Sequence, residues 1–157
     1  MNNVVSNSTP LILFDKIDHL HLLKDLYRKI YIPQTVFDEV SNAKYENNIF
    51  KGNDFIEVRH IQSTPILYPA ALHSGEIEVF ILAKELNADL CIIDDLLARN
   101  YAVNLGLRIT GSIGILLLAK ELRLIKNVKP LVDKLIENNF RIGSKLYQDI
   151  LKKAGEI

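Results

Sequence analysis

The sequence predicts a single-domain α/β protein, an α/β/α sandwich around a central parallel sheet. Short apolar runs alternate with helical hydrophobic patterns along the chain. One run, Leu90-Cys91-Ile92-Ile93, is apolar without a break, as expected for a strand covered on both faces. Polar residues follow the strand-like runs directly, where strand would pass into helix. Such alternation favours parallel pairing through right-handed crossovers. With 157 residues and 48% hydrophobic content, the chain can bury one full core. One domain over 1–157 is the expectation, with 128–157 as a C-terminal helical extension packed on it.

Asn3-Val4-Val5-Ser6 is the first strand candidate, ended by Asn7-Ser8-Thr9-Pro10, which combines capping residues with a proline suited to a first helical turn. Leu11, Ile12 and Phe14, then Leu20, Leu22, Leu23 and Leu26, predict helical stretches around a polar break at 15–18. Lys29-Ile30-Tyr31-Ile32-Pro33 predicts a second strand and 34–40 the next helix, with Val36 and Val40 one turn apart. The polar run 41–53, containing Lys51-Gly52-Asn53, predicts a surface loop or helix end. Phe55-Ile56-Glu57-Val58-Arg59 alternates like a half-exposed edge strand, with its place in the sheet left open.

The clearest helix follows His73-Ser74-Gly75, with Ile77, Phe80, Ile81 and Leu86 forming an apolar stripe. After the buried run ends at Asp94-Asp95, 96–104 is helical, Leu107-Arg108-Ile109 is a short strand, and Thr110-Gly111-Ser112 turns into a helix over 113–122. Two amphipathic helices, 128–138 and 144–154, flank Phe140-Arg141-Ile142-Gly143. They cover the core or meet a partner, and the apolar faces around Leu131, Leu135 and Leu146 are candidate dimer contacts.

Nineteen basic residues balance nineteen acidic ones, so no global positive field exists to drive nucleic-acid binding. Any RNA affinity must come from a local patch. The single cysteine, Cys91, excludes an internal disulfide and argues against a thiolate zinc site; inside an apolar run it is an inert core residue. The four histidines show no metal-ligand spacing. No run approaches the ~20 apolar residues of a membrane span, and no secretory signal is seen. A cytoplasmic setting is the expectation.

Ligands of open parallel sheets sit at the carboxyl ends of the strands, which directs attention to Asn7-Ser8-Thr9, Asp94-Asp95 and Thr110-Gly111-Ser112. Glu39 and the Gly75-Glu76-Ile77-Glu78 segment add helical carboxylates. Carboxylates gathered from separate elements repel unless a cation or a proton neutralises them, and hard oxygen ligands favour magnesium or manganese. Each acid also has a plainer role: Glu39 as a solvated helix residue, Glu76 as a first-turn acid favoured by the helix dipole, and Asp94 as a helix cap. A phosphate-binding or receiver-like domain would use Asp94-Asp95 but leave Glu39 and Glu76 without a role.

The chain resembles the PIN domain, and within that family a bacterial and archaeal branch of short PIN-like proteins. The resemblance rests on Val4-Val5-Ser6-Asn7-Ser8-Thr9-Pro10-Leu11-Ile12, on Ile32-Pro33 followed by Val36-Phe37-Asp38-Glu39-Val40, and on Gly75-Glu76-Ile77-Glu78. It continues through Ile92-Ile93-Asp94-Asp95-Leu96-Leu97-Ala98-Arg99 and Leu107-Arg108-Ile109-Thr110-Gly111-Ser112-Ile113-Gly114 to the Phe140-Arg141-Ile142 tail. Order and spacing carry it, since no single piece is specific.

The resemblance implies a PIN-like fold and a ribonuclease dependent on magnesium or manganese, in some relatives the toxin paired with an antitoxin protein, with homodimers common. It places catalytic and metal-binding roles on Asn7, Glu39, Glu76 and Asp94, with Asp95 as a neighbouring ligand. Thr9 would orient a ligand or cap the helix. Arg99 would meet a substrate phosphate or, more simply, pair with an acid. Most RNA-cleaving relatives carry aspartate where this chain has Asn7, whose carbonyl oxygen is uncharged. The alternative is a catalytically impaired PIN-like protein that binds RNA or a partner protein.

Overall fold

The computed structural model describes residues 3–42, 48–63 and 72–157. Among them, β1 (Val4–Ser6) leads into α1 (Ser8–Lys16) and α2 (His21–Tyr27), β2 (Ile30–Ile32) into α3 (Gln34–Asn42), and β3 (Ile56–Val58) precedes α4 (Ser74–Glu85). Then come β4 (Leu90–Ile92), α5 (Leu96–Asn104), β5 (Ile109–Thr110) and α6 (Ser112–Glu121), and finally α7 (Lys129–Glu137) and α8 (Ser144–Lys153). The strands form one five-stranded sheet in the order β3-β2-β1-β4-β5, every neighbouring pair parallel.

Successive side chains of a strand point to opposite faces. Val4, Val5 and Ser6 of the central strand are all buried, so helices cover both faces of the sheet. The buried cluster joins Val5, Ile32 and Ile92 of the strands to Phe14 of α1, Phe80 of α4 and Ile115 of α6. Each such apolar side chain contributes about 1.5–3 kcal/mol by leaving water. Val128, Leu131, Val132 and Leu135 around α7 and Ile150 of α8 join the same cluster. Cys91 is buried there too, which pushes its thiol up to about 12, far from reactivity.

The order of the strands locates the ligand crevice. The chain moves from β1 to β2 and β3 at one edge, then crosses back to β4 and β5 on the other side of β1. The direction reverses between β1 and β4, and the crevice of an open parallel sheet lies at the carboxyl ends of the two strands that flank such a reversal. Asn7 and Asp94 follow those two strands.

Several elements differ in detail from the sequence reading. The alternating run after residue 54 is β3, an edge strand paired with β2 in the register Ile30↔Ile56. The last strand starts later than Leu107, whose N–H is taken by Ala102 O (3.0 Å) as α5 closes around Gly106 at φ +76°. Thr110 therefore belongs to β5, and Ser112 opens α6. The run 41–53 begins as the end of α3, 43–47 lies outside the described residues, and Ile49 is buried rather than a surface loop residue. Leu131 and Leu135 are core residues and leave only Leu146, 54% exposed, as a contact surface among the three. No helix among the described residues is long and apolar enough to cross a membrane.

Candidate active site

The first turn of α1 begins the site. Asn7 N–H donates to Ile92 O (3.0 Å), extending the β1–β4 pairing by one residue, and Asn7 Oδ1 accepts from Ser8 N (2.9 Å) as the cap of α1. A cap of this type stabilises a helix by about 1 kcal/mol. The capping role considered for Thr9 therefore falls to Asn7. Thr9 is exposed one residue into the helix. Ser8 Oγ donates to Glu39 Oε2 at 2.7 Å, tying α1 to α3 and fixing the direction of that carboxylate.

The other oxygen of Glu39 lies against the start of α4. A side chain on Gly75 would collide with Glu39 Oε1, so the bare glycine is what allows a carboxylate on α3 to reach this helix end. His73, the N-cap of α4, makes no side-chain capping bond, and a helix N-terminus favours nearby negative charge. Glu78 holds the two helices together, accepting hydrogen bonds from the hydroxyl of Thr35 and from its backbone N–H. Between these anchors stands Glu76, only 7% exposed. Its carboxylate has no hydrogen bond or ion pair among the described residues. Asn7, Ser8, Thr9, Glu39, His73, Ser74 and Glu76 line one polar cavity of about 320 Å³.

Asp94 is held differently. Its Oδ1 accepts from Ser112 N (2.7 Å) and its Oδ2 from Ser112 Oγ (2.6 Å), which joins the end of β4 to the start of α6. Burial pushes this carboxyl above its ordinary range, and the Ser112 bonds and the nearby Arg99 charge only partly oppose that rise. A Cβ on Gly111 would lie 2.7 Å from Asp94 Oδ1 and 3.1 Å from Arg99 Nη1, so glycine leaves room for both side chains. Arg99 makes no ion pair among the described residues, contrary to the simpler reading of it, although its charge reaches Asp94. Asp95, exposed, caps α5 through Ala98 N (2.8 Å), the role considered for Asp94.

The structure thus brings Asn7, Thr9, Glu39 and Glu76 to one cavity, while Asp94 stands with Ser112 beside the crevice and outside the cavity lining. Among the described residues no three His, Cys, Asp or Glu side chains form a group able to hold a metal ion. Ser8 and Ser112 were named only as members of strand-end turns, and His73 and Ser74 only as the start of a helix, with no role of their own in the site. Their signal was position: a hydroxyl or imidazole in the turn that enters a helix.

A family model described as PIN domain matches residues 3–156. The chain belongs to the PIN-domain family. Among solved structures, it is similar to a PilT N-terminus domain protein, SSO1118, from the hyperthermophilic archaeon Sulfolobus solfataricus P2, with a TM-score of 0.54 and 21% identity over 91% of this chain and 100% of that one. At that identity the likeness speaks for the fold alone. No curated protein is similar enough in sequence to be matched.

PIN domains have a nuclease fold and are generally dependent on a divalent metal. The donors of this PIN domain suit such an ion. Magnesium is commonly held by one or two carboxylates, with water and substrate phosphate completing its shell. Glu39 and Glu76 supply two carboxylates around one polar cavity, Asn7 and the serines are oxygen donors, and no thiolate is present to select a softer metal. The Glu76 carboxylate, open to the cavity and without a hydrogen bond or ion pair among the described residues, is the kind of group that a bound cation stabilises.

Proposed function

We propose that this PIN domain is a ribonuclease dependent on magnesium or manganese, cutting RNA at the cavity between α1, α3 and α4. The Glu76 carboxylate carries the reading: on a residue only 7% exposed, it lines a polar cavity with Glu39 and Asn7 and lacks a partner among the described residues. Glu39 and Glu76 would hold the ion, with Asn7 as a neutral neighbour and Asp94 adding charge from the other side of the crevice. When bound, the ion supplies an acidified water and a counter-charge for the phosphate.

The chain's own residues orient that chemistry. Ser8 fixes the direction of Glu39, and Ser112 fixes Asp94. Thr9 offers an exposed hydroxyl at the cavity rim, and Arg99 offers a cation for a phosphate oxygen beside Asp94. Asp95 contributes through α5, which it caps, and is an outer ligand at most. A toxin role with an antitoxin partner, pairing with a second copy and a cytoplasmic setting belong to the same proposal; the family likeness supports them. Exposed Leu96, Leu97 and Val103 on α5 and Leu146 on α8 supply apolar surface for such contacts.

A second reading, an impaired PIN domain that binds RNA or a protein without cutting, is favoured by two observations. Asn7 Oδ1 is committed to Ser8 N, and Asp94 stands outside the cavity. Cleavage of a fluorescent single-stranded RNA with Mg2+ or Mn2+, against EDTA, separates the two. The ribonuclease reading expects metal-stimulated cleavage that drops at least about a hundredfold in Glu76→Gln, the order seen when one electrostatic catalytic group is lost. An inert parent that gains activity in Asn7→Asp supports the second reading. If neither protein cleaves, the ribonuclease proposal is wrong.

A further inference from the structure

We infer that the groove between α1 and the turn from α7 to α8 is a nucleotide subsite, which holds the base and phosphate next to the scissile one on single-stranded RNA. The inference rests on the ribonuclease reading and extends it from the reacting phosphate to its neighbour.

The groove, about 330 Å³, is lined among others by Thr9, Ile12, Lys16, Asn139, Phe140 and Arg141. Thr9 also lines the acidic cavity, so the two depressions meet at one residue and a strand leaving the acids over α1 enters the groove next. Their chemistries are complementary. The first is lined by Glu39 and Glu76; the second has no acid and two cations. In a chain with nineteen basic and nineteen acidic residues, local cations of this kind are what can attract a polyanion. Lys16 lies two turns along α1 from Thr9, roughly 10 Å at 1.5 Å per residue, so its charge adds to the field of the groove away from the acids, and Arg141 is the cation left for the phosphate.

The rest of the lining suits a base. Phe140 is half-buried, one part packed against the core and another facing the groove, which gives a fixed aromatic platform. The backbone holds it there: Phe140 N–H donates to Leu135 O (3.0 Å) and Asn139, at φ +71°, turns the chain off α7. The neighbouring Asn138 amide is committed to Lys134 O (2.9 Å), whereas the Asn139 side chain makes no hydrogen bond among the described residues. An amide beside an aromatic face, with cations at the rim, is how single-stranded RNA is held: stacking on the ring, hydrogen bonds to a base edge, ion pairs to phosphate.

The test measures binding of a short fluorescent single-stranded RNA to the full chain carrying Glu76→Gln, so that cleavage does not intervene, by anisotropy across a salt series. Arg141→Glu is expected to weaken binding by about tenfold and to lower the salt slope by about one. Phe140→Leu keeps apolar packing but removes the ring, and is expected to weaken binding about fivefold with the salt slope unchanged. Arg123→Glu, a charge reversal of an exposed residue beyond the far end of α6, should leave affinity within twofold, and an RNA duplex of the same sequence should bind more weakly than the single strand.

If the RNA binds but Arg141→Glu and Phe140→Leu match their background, the subsite is wrong while the ribonuclease reading stands on its cleavage assay. Equal losses in Arg123→Glu and Arg141→Glu, or equal binding of duplex and single strand, also overturn the subsite. If the RNA neither binds nor is cut, both readings fall.

Discussion

Glu76 and Glu156 are two carboxylates used in opposite ways. Glu156, after α8, accepts hydrogen bonds from Lys120 Nζ (2.8 Å), Val128 N (2.7 Å) and Lys129 N (2.9 Å), locking the end of the chain onto the junction of α6 and α7. Burial pushes its carboxyl up, but those three donors outweigh burial and hold it below its ordinary range. Glu76, at the start of α4, opens on the polar cavity and has no donor among the described residues. One carboxylate stabilises the fold. The other makes no such bond among the described residues, and it is there that we propose a cation binds.

The comparison is tested most strongly by replacing each acid with its amide. Glu76→Gln should lower metal-stimulated RNA cleavage at least about a hundredfold while leaving the urea midpoint nearly unchanged, because the carboxylate makes no bond to the fold among the described residues. Glu156→Gln should do the reverse, costing about 1–2 kcal/mol in urea unfolding, a range kept low because water screens a site near the rim, with activity retained. A fall in stability for Glu76→Gln, or none for Glu156→Gln, would break the contrast.

Gly75→Ala sharpens it through Glu39. The added methyl meets the far end of a flexible side chain, so Glu39 swings away and the fold survives. Cleavage should fall about tenfold with a change in the urea-unfolding free energy below about 1 kcal/mol.

The smallest effect is the sign of a pH dependence. Because the Glu156 carboxyl lies low in the folded state, its stabilisation is complete above the ordinary carboxylate range and is lost as pH falls through its folded value. Asp94, raised by burial, has the opposite slope: its contribution is complete below the ordinary range and is lost as pH rises through its raised value. Comparing urea midpoints at neutral pH and at about pH 4, with EDTA present, Glu156→Gln should flatten the acid loss, whereas Asp94→Asn should steepen it.

Most of the fold was legible because each element is written locally. The unbroken Leu90-Cys91-Ile92-Ile93 run needed cover on both faces, and His73-Ser74-Gly75 announced α4 where it begins. The sheet position of β3 was not legible, since pairing of Ile56 with Ile30 depends on a partner 26 residues away, not on the run itself. Leu131 and Leu135 were left between core packing and a partner contact because an amphipathic helix has the same pattern whether its apolar face meets the core or a second chain.

At the candidate site, sequence order singled out Asn7, Glu39 and Glu76, which share a cavity, but gave no warning that Asp94 is drawn to Ser112. Which of two adjacent aspartates caps a helix is a matter of backbone direction. Asp95 takes that role here, at φ −63° and ψ 126°. The hydroxyls of Ser8 and Ser112 acquire their partners only through folding.

As proposed, Glu76 is a cation ligand rather than a structural acid. Calorimetric titration of Mn2+ into the metal-free parent, Glu76→Gln and Glu156→Gln tests it most directly. One ion per chain is expected in the parent and in Glu156→Gln, with affinity weakened at least about tenfold in Glu76→Gln. Equal affinity in the parent and Glu76→Gln would contradict it.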